Sequence, residues 1–529
     1  MKTPNHIPDD PRLALRNMPA YIRVCLLSTL GFGILAHGMA LVTKFSMADE
    51  AHYLFSVGAT VTSGRWFLGV LGAVVRWIFG SPNFSLPLWS GLITLFLAGL
   101  CGCVLVRWMG WQNRWSWVLA SGLLTVFPVM SGLFFYNFTA PYYMLGLLLV
   151  LSGSALLCCR RKAASFAGAV GLVCLGLSIY QAFLSLFLCL LLIFFLKELS
   201  GQDSWTFPAL FKEILWYLSG CAAIAVVYLL SVKLSISLVG EGLSDYKGIS
   251  TMGAASLGQY LQRIKLAIYL FFFPARSDRY AFLLPYRLQD CYYLTLTLTA
   301  LLGGRQVLQF FRQSPPPKGL AAALVFACFP LAVNFIYVVC NQEDVYNLML
   351  FGQMAPFLLL LSLIDGLAVS KVRILSLARK AALALLLIFC LFCVRVDNAV
   401  YIRGQLIQTR SISYFTTLVT TIKSTPGYTG STPVAFVGDT SYAMDPTFRS
   451  IEGFGALSIA PLPYDASPFS IGYSWQDFLT LWCGFTPTYV DGEDFAGLPE
   501  VQEMPGYPDA GSVRMVDGTV VVKLNASQP

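Results

Sequence analysis

Two adjacent carboxylates follow the first apolar block of the chain. Asp49 and Glu50 come a few residues after Val42, and His52 lies just beyond them. Burying a carboxylate near hydrocarbon at the rim of a membrane span costs about 2.5–3.5 kcal/mol of insertion free energy. Its presence there therefore favours a functional role. A carboxylate at headgroup depth can serve as a general base that deprotonates a sugar hydroxyl. A solvated loop carboxylate that simply ends the helix is the competing interpretation.

A cation and an indole follow in the same predicted loop. Arg65 and Trp66 close the run Ser63-Gly64-Arg65-Trp66. A guanidinium forms charge-assisted, often bidentate hydrogen bonds with phosphate oxygens. Arg65 is therefore a candidate to balance the charge of a phosphate leaving group, with His52 and Trp66 as neighbouring candidates for substrate binding.

Aromatic and amide side chains form a second group of candidates on the same predicted face. Such side chains stack on sugars and hydrogen-bond with them, but a Tyr at a membrane interface is also an ordinary anchor. Gln181 is flanked by apolar residues, and an anchor role explains it less well. For Gln342 and Asp344, an ordinary polar loop is nearly as good an explanation. The candidates are Tyr136, Asn137, Tyr180, Gln181, Gln342 and Asp344.

A long predicted outer segment carries a third group, which is basic. Outward Lys and Arg oppose the positive-inside rule, so they suggest an anionic partner such as a lipid phosphate or pyrophosphate. Simple contact with anionic headgroups explains the same pattern. The candidates are Lys247, Arg263, Arg276, Arg279 and Tyr280.

The composition decides what positions these residues. Of the 529 residues 57% are hydrophobic and 12% are charged, whereas soluble domains have about 25% charged residues. The net charge of +8 comes from short Lys and Arg clusters between apolar blocks, which is typical of membrane topology and not of nucleic-acid binding. We therefore predict a polytopic α-helical membrane protein.

Hydropathy predicts about eleven transmembrane helices. The first follows Arg12, Arg16 and Arg23 and is expected to be retained, because no signal-peptidase site follows it. Alternation with a cytoplasmic amino terminus gives each inside loop Lys or Arg and puts the carboxyl-terminal tail outside. The predicted spans are Val24–Val42, Leu86–Val106, Trp115–Phe135, Met144–Cys159, Ala163–Ser178, Phe183–Leu196, Leu215–Leu234, Leu288–Leu302, Leu320–Val339, Met354–Val369 and Ala381–Val396.

Two stretches need a separate interpretation. The apolar run from Ala163 to Leu196 could be one long helix, but its length and Tyr180-Gln181 at its middle favour two spans that meet at a tight turn. The stretch from Ile264 to Phe273 is too short to cross a membrane and precedes Pro274. We expect it to be interfacial or re-entrant.

The tail has the pattern of a small α/β domain. Residues 1–396 are predicted to form the transmembrane domain with its catalytic loops, and residues 397–529 an extracytoplasmic domain. Pro433–Val437 predicts a strand, and Val513–Leu524 predicts a strand pair that bends at Asp517-Gly518.

Several cofactor motifs are missing from the sequence. It has no P-loop, no dinucleotide-binding glycine fingerprint and no HExxH motif, and it contains only three histidines. These absences disfavour nucleotide-driven and zinc-dependent chemistry. No cofactor is assigned, and a divalent cation stays an open option.

Taken together, the motifs resemble those of a known family. Asp49-Glu50, Ser63–Trp66, Ser178–Ala182 and the ending from Met504 to Leu524 occur in the expected order. In this respect the chain is similar to the bacterial GT-C membrane glucosyltransferases related to the type II O-antigen serotype-converting enzymes. One departure is Asp-Glu where that family is expected to have two aspartates, which leaves open which carboxylate is the base.

The resemblance implies a GT-C-like fold and a specific reaction. It implies inverting transfer of a hexose, glucose being the leading candidate, from an undecaprenyl-phosphate carrier to a cell-surface glycan. Asp49 is then the leading base and Glu50 its neighbour or substitute. The implied partners are the polyprenyl-phosphate sugar, membrane lipid and an acceptor that is O-antigen, teichoic acid or another wall polymer, and no nucleic acid.

Two other classes of function compete with this interpretation. A transporter or flippase of lipid-linked sugars predicts ionisable residues deep in the membrane, broken helices and internal repeats. A structural partner of a wall-assembly complex predicts that the loop carboxylates can be replaced without effect.

Overall fold

The chain is mostly helical in the described region. The structure, a computed structural model, describes the following residues: 18–46, 57–80, 85–159, 162–201, 205–244, 255–274, 287–340, 345–367, 372–438 and 475–524. The helices before the tail are α1 Ala20–Val42, α2 Val57–Thr62, α3 Trp66–Phe79, α4 Pro87–Met109, α5 Arg114–Val126, α6 Val129–Phe135, α7 Ala140–Cys159, α8 Ala163–Leu177, α9 Phe183–Gly201, α10 Phe207–Val239, α11 Leu257–Phe272, α12 Leu288–Gln313, α13 Pro316–Val333, α14 Ile336–Val339, α15 Ala355–Gly366 and α16 Arg373–Ser424. Two 3-10 turns, Asn347–Met349 and Phe351–Met354, precede α15.

Several of these helices suit a bilayer in length and composition. Within the described ranges, seven helices are long and apolar enough to cross, and an eighth is obtained if the bent pair α5 and α6 counts as one span. Large apolar side chains face outward, as on α10 with Leu229 64% exposed, because lipid can solvate them. The protein is therefore a polytopic helical membrane protein, and the expected number of about eleven spans stays a prediction.

The bend between α5 and α6 has a local cause. The two helices meet at 47° across Phe127-Pro128. Proline lacks the N–H that a continuous helix needs, so the chain turns there. The predicted span from Trp115 to Phe135 is thus a broken one.

The break expected within the run from Ala163 to Leu196 is present. Helix α8 ends at Leu177 and α9 begins at Phe183, with Tyr180 and Gln181 in the turn between them. Helices α7 and α8 pack very closely, since a Cβ added to Gly176 would lie 2.6 Å from the Gly146 carbonyl oxygen. This approach brings the amino-terminal end of α7 beside the α8–α9 turn.

Helix α11 occupies the stretch predicted to be interfacial or re-entrant. Ser256 and Gln259 form a reciprocal capping box that starts it. Its 16 residues are fewer than the roughly 20 that a span needs. Its relation to the membrane stays a prediction.

Helix α16 is longer than the span predicted in its sequence. Its 52 residues correspond to about 78 Å, more than twice a hydrocarbon core of about 30 Å. Residues up to Tyr401 belong to the main core, whereas Ile407 and Phe415 belong to the core of the tail. The predicted boundary after Val396 falls inside this continuous helix, so the division into two domains stays a prediction.

The tail contains a four-stranded mixed sheet. Its elements are β1 Val434–Val437, α17 Gln476–Cys483, β2 Tyr489–Val490, α18 Glu493–Ala496, α19 Pro499–Gln502, β3 Val513–Val516 and β4 Thr519–Lys523. The strand order is β2-β1-β4-β3, with β1 parallel to β2 and β4, and β3 antiparallel to β4. Asp517 and Gly518 have φ of 46° and 77°, as a two-residue hairpin turn requires. Both strand predictions are confirmed.

Candidate active site

The Ser63–Trp66 motif forms a tight turn between α2 and α3. Gly64 has φ of 73°, and the Arg65 N–H donates to the Thr60 carbonyl at 2.7 Å. The Gln181 side chain donates to the Ser63 carbonyl at 2.8 Å, across 118 positions of sequence. The Tyr228 hydroxyl on α10 donates to the Gly64 carbonyl at 3.2 Å. Two remote elements therefore hold this turn by its backbone.

Gly64 leaves no room for a side chain. A Cβ there would lie 2.8 Å from the Tyr228 hydroxyl and 2.9 Å from the Gln181 amide nitrogen. Left-handed φ is in addition costly for any residue with a Cβ. The turn needs glycine on both grounds.

Trp66 fastens the start of α3 to α10. Its indole N–H donates to the Ser231 hydroxyl at 3.1 Å, and that hydroxyl donates to the Tyr228 carbonyl at 2.7 Å. The predicted substrate-binding residue thus has a direct structural contact, and it helps to set the direction of the neighbouring Arg65.

The Arg65 guanidinium lies against two tyrosines. Its central carbon is 5.4 Å from the centroid of the Tyr180 ring, and Nη1 donates to the Tyr143 hydroxyl at 3.3 Å. The rings of Tyr143 and Tyr180 stack with centroids 4.4 Å apart and 10° between their planes. We call Arg65, Tyr143, Tyr180 and Gln181 the Arg65 cluster. It joins a residue of the first predicted loop, the start of α7 and the α8–α9 turn.

Tyr180 is the most enclosed member of the cluster. Its side chain is 1% exposed, and Tyr346 lies beside its hydroxyl. Burial, with smaller effects of Tyr346 and Tyr143, raises the pKa of Tyr180 well above its ordinary value. The phenol therefore stays protonated and, beside a fixed guanidinium, can donate to an anionic oxygen.

Tyr346 links this cluster to another predicted patch. It lies close enough to affect Tyr180 electrostatically, and it follows the stretch that contains Gln342 and Asp344. The next described turns, Asn347–Met349 and Phe351–Met354, pack against α6 and α9. Sequence positions near 346 and near 180 are therefore neighbours in space.

Tyr136 and Asn137 lie in the turn that joins α6 and α7. The Tyr136 carbonyl accepts from Thr139 Oγ1 at 3.0 Å. Asn137 is 5% exposed, and its side-chain oxygen has no hydrogen-bond partner in the described ranges. A buried acceptor without a partner costs free energy, which is a reason to keep Asn137 among the candidate binding residues.

Arg263 lies on α11 and contacts a different part of the chain. Its Nη1 donates to the Val338 carbonyl at 3.3 Å, and its guanidinium lies 5.7 Å from the Tyr260 ring centroid. Arg263 therefore links α11 to α14.

The remaining predicted site residues lie outside the described ranges. These are Asp49, Glu50, His52, Lys247, Arg276, Arg279, Tyr280, Gln342 and Asp344. In the described parts of the chain, no group of three His, Cys, Asp or Glu residues is suitably placed for a metal ion.

Sequence reasoning did not identify the residues of α10 that support the site. Tyr228 and Ser231 lie in a long apolar helix, where a Tyr or a Ser has no distinguishing pattern. It also did not identify a buried polar network in which the His37 imidazole bonds with the Tyr401 hydroxyl at 2.7 Å and with the Thr125 carbonyl at 2.8 Å. Asp397, one helical turn before Tyr401, is fully buried.

One family model matches the part of the chain that contains the Arg65 cluster. A family model described as "Glucosyl transferase GtrII" matches residues 38–357, which is more than half of the chain. The matched range contains all members of the cluster and ends before α16 and the sheet. No curated protein and no solved structure matches the chain significantly.

Proposed function

The chain belongs to the GtrII glucosyl transferase family, and from this premise we propose that it transfers glucose from a polyprenyl-phosphate carrier to a cell-surface glycan. The observation that carries the proposal is the Arg65 cluster. In this cluster the guanidinium of Arg65 lies against the buried, protonated phenol of Tyr180, within the part of the chain that the family model matches. Such a pair suits the phosphate of a lipid-linked sugar.

The proposed reaction is a single inverting displacement. An acceptor hydroxyl attacks the anomeric carbon while the bond from that carbon to the phosphate oxygen breaks. Asp49, or Glu50 in its place, takes the proton of the hydroxyl, and polyprenyl phosphate leaves with the bonding electron pair. Arg65 stabilises the negative charge that grows on the leaving phosphate. No cofactor enters this scheme.

The remaining candidates take supporting roles in the proposal. His52, Trp66, Tyr136, Asn137 and Gln181 contribute to the sugar site around the cluster. The other outer-loop candidates bind the phosphate headgroup of the carrier or the acceptor glycan: Lys247, Arg263, Arg276, Arg279, Tyr280, Gln342 and Asp344.

The proposed orientation puts the Arg65 cluster and the sheet on the outer side of a bacterial cytoplasmic membrane, with the amino terminus in the cytoplasm. Contacts between the end of α1 and the tail support a common side, since the Trp482 indole donates to the Ser46 hydroxyl at 2.9 Å. O-antigen, teichoic acid and other wall polymers are all suitable acceptors on that side.

The test uses membranes that contain the full-length protein. Asp49→Asn should abolish transfer of labelled glucose from undecaprenyl phosphate to isolated surface glycan, at unchanged protein level. Asp517→Asn is the matched control, because Asp517 is exposed in a hairpin turn that Asn tolerates. Undiminished transfer by the Asp49 variant excludes its role as base, and the Glu50→Gln variant then tests the second carboxylate. Glycan analysis of a deletion strain identifies the sugar and the acceptor together.

Two observations favour a second candidate, a flippase of lipid-linked sugars. The bent pair α5 and α6 is a broken helix, and Asp397 is a fully buried ionisable residue with Ser131 beside its carboxyl group. Purified protein in liposomes distinguishes the two activities. A flippase moves a fluorescent lipid-linked glucose between leaflets without acceptor, whereas a transferase consumes the donor only when the acceptor is present.

A further inference from the structure

The segment that enters the first loop is held in place by α16. Residues 43–46 follow α1 without regular secondary structure, and Thr43 is extended, with φ of −111° and ψ of 125°. The Gln408 side-chain oxygen accepts from the Ser46 N–H at 2.9 Å, and its side-chain nitrogen donates to the Lys44 carbonyl at 2.9 Å. One side-chain amide thus satisfies two backbone groups of this segment, the Ser46 N–H and the Lys44 carbonyl.

The tail adds a second contact at the same residue. The Trp482 indole on α17 donates to the Ser46 hydroxyl at 2.9 Å, across 436 positions of sequence. Ser46 is fully buried, so this hydroxyl is shielded from competition by water. The α17 helix is itself anchored, because Phe478 and Leu479 are fully buried in the tail core with Phe415 of α16.

Aromatic contacts of Phe45 also hold this segment. Phe45 is 4% exposed and lies between Phe135, at 4.9 Å between centroids, and Tyr401, at 5.8 Å. Gly404 allows α16 to come this close, because a Cβ there would lie 2.8 Å from the Phe135 ring. The Phe45 ring, the Ser46 N–H and the Ser46 hydroxyl therefore all contact other elements of the fold.

We propose that Gln408 and Trp482 are positioning residues for the catalytic loop, so that the sheet-bearing tail supports the active site and is more than an attached domain. The inference rests on the proposed function, in which Asp49 is the base. Asp49 is three residues after Ser46, and consecutive Cα atoms are 3.8 Å apart, so its Cα lies within about 11 Å of the clamped residue. A small displacement of a base from its proton is costly for the reaction rate.

The first experiment separates positioning from substrate binding. Gln408→Met keeps the side-chain length without the hydrogen bonds, and Trp482→Phe keeps an aromatic ring without the N–H. Each should lower kcat at least about tenfold and leave KM for the lipid-linked glucose within about twofold. Trp216→Phe is the matched control, since its indole donates to the Leu157 carbonyl at 3.0 Å away from the clamp. Wild-type kcat in both clamp variants overturns the proposal.

A double-mutant cycle tests whether Trp482 acts through Ser46. Ser46→Ala removes the same hydrogen bond from the other side, so Ser46→Ala, Trp482→Phe and the double variant should lower kcat by the same factor. If the effects of Ser46→Ala and Trp482→Phe multiply instead, Trp482 has only a structural role in the tail, and the proposal fails. Ser46→Ala keeps the test valid if Trp482→Phe does not accumulate in membranes.

A labelling experiment tests the clamp independently of catalysis. A cysteine introduced at Ala48 should react with a maleimide several-fold faster in the Gln408→Met and Trp482→Phe backgrounds than in the wild-type background. An unchanged rate contradicts the clamp. If labelling changes as expected while Asp49→Asn stays active, the clamp holds the loop but the proposed base is wrong.

Discussion

Tyr143 and Tyr180 stack face to face, with ring centroids 4.4 Å apart, and the guanidinium of Arg65 contacts both of them. The stack exists because α7 and α8 pack through glycines, which brings the first turn of α7 beside the α8–α9 turn. It fixes the position of a cation that the local sequence alone would leave mobile on a long side chain.

Arg65→Lys should behave as a loss of function and not as a conservative change. Lysine keeps the charge but loses the planar fork that can bind two phosphate oxygens and lie on an aromatic ring. A hydrogen bond to a charged group contributes about 1.5–3 kcal/mol, so kcat/KM for the lipid-linked glucose should fall by about 10- to 100-fold. Arg287→Lys is the matched control, because Arg287 pairs with Asp290 at an exposed position. Equal kcat/KM in the two variants contradicts a phosphate role for Arg65.

Two substitutions at Tyr143 should separate its ring from its hydroxyl. Tyr143→Phe keeps the stack on Tyr180 and removes only the acceptor for Arg65 Nη1, whereas Tyr143→Ala removes both. Aromatic pairs contribute about 0.5–1.5 kcal/mol beyond their buried area. Thermal unfolding in detergent should therefore shift little for Tyr143→Phe and clearly for Tyr143→Ala. A larger shift for the Phe variant is inconsistent with a stack that holds the cluster.

Gly64→Ala should lower the transfer rate more than Gly80→Ala, although both glycines have left-handed φ. Both Gly64 and Gly80 have positive φ, at 73° and 61°, so alanine carries a backbone cost of about 1–2 kcal/mol at either position. Only at Gly64 does the new Cβ also meet Tyr228 and Gln181, whereas at Gly80 no atom of the described residues, apart from its chain neighbours, lies within 4 Å of the new Cβ. Transfer rates and thermal stability of the two variants give the comparison. Similar losses in both would show that backbone strain, and not the crowded turn, is responsible.

Tyr228→Phe offers a check on the same turn from the opposite side. Removing the hydroxyl relieves the 2.8 Å contact at Gly64→Ala but also removes the donor to the Gly64 carbonyl. The double variant should therefore regain part of the stability that Gly64→Ala loses. No recovery at all would mean that the remaining contact with Gln181 and the lost hydrogen bond to the Gly64 carbonyl together offset the relief.

The proposed topology predicts which positions a membrane-impermeant maleimide reaches in intact cells. Ser431→Cys, exposed in the tail, should be labelled, and Gln313→Cys, exposed at the end of α12, should be labelled only after the membrane is opened. The wild-type protein is the control for its native cysteines, of which those in the apolar helices are mostly buried. Labelling in the reverse order would invert the proposed orientation.

Much of the architecture could be predicted because its causes are local. An excess of apolar blocks leaves the chain no option except lipid, and the polar pair Tyr180-Gln181 interrupts an apolar run where one helix would be too long. Asp517-Gly518 bends the strand pair because these residues accept positive φ. Family membership was likewise readable from short motifs in order along the chain.

The assembly of the site could not be read in this way, because it depends on which helix faces meet. Gln181 reaches Ser63 across 118 positions, and Trp482 reaches Ser46 across 436. Nothing in the local pattern of α10 marks Tyr228 as a donor to Gly64, and nothing in α16 marks Gln408 as a partner of Ser46. Hydropathy predicts which segments lie in lipid, and turn residues predict where the chain bends. Close packing at glycines and buried hydrogen bonds determine which segments contact each other. These depend on shape complementarity between distant segments, which only the folded chain brings into contact.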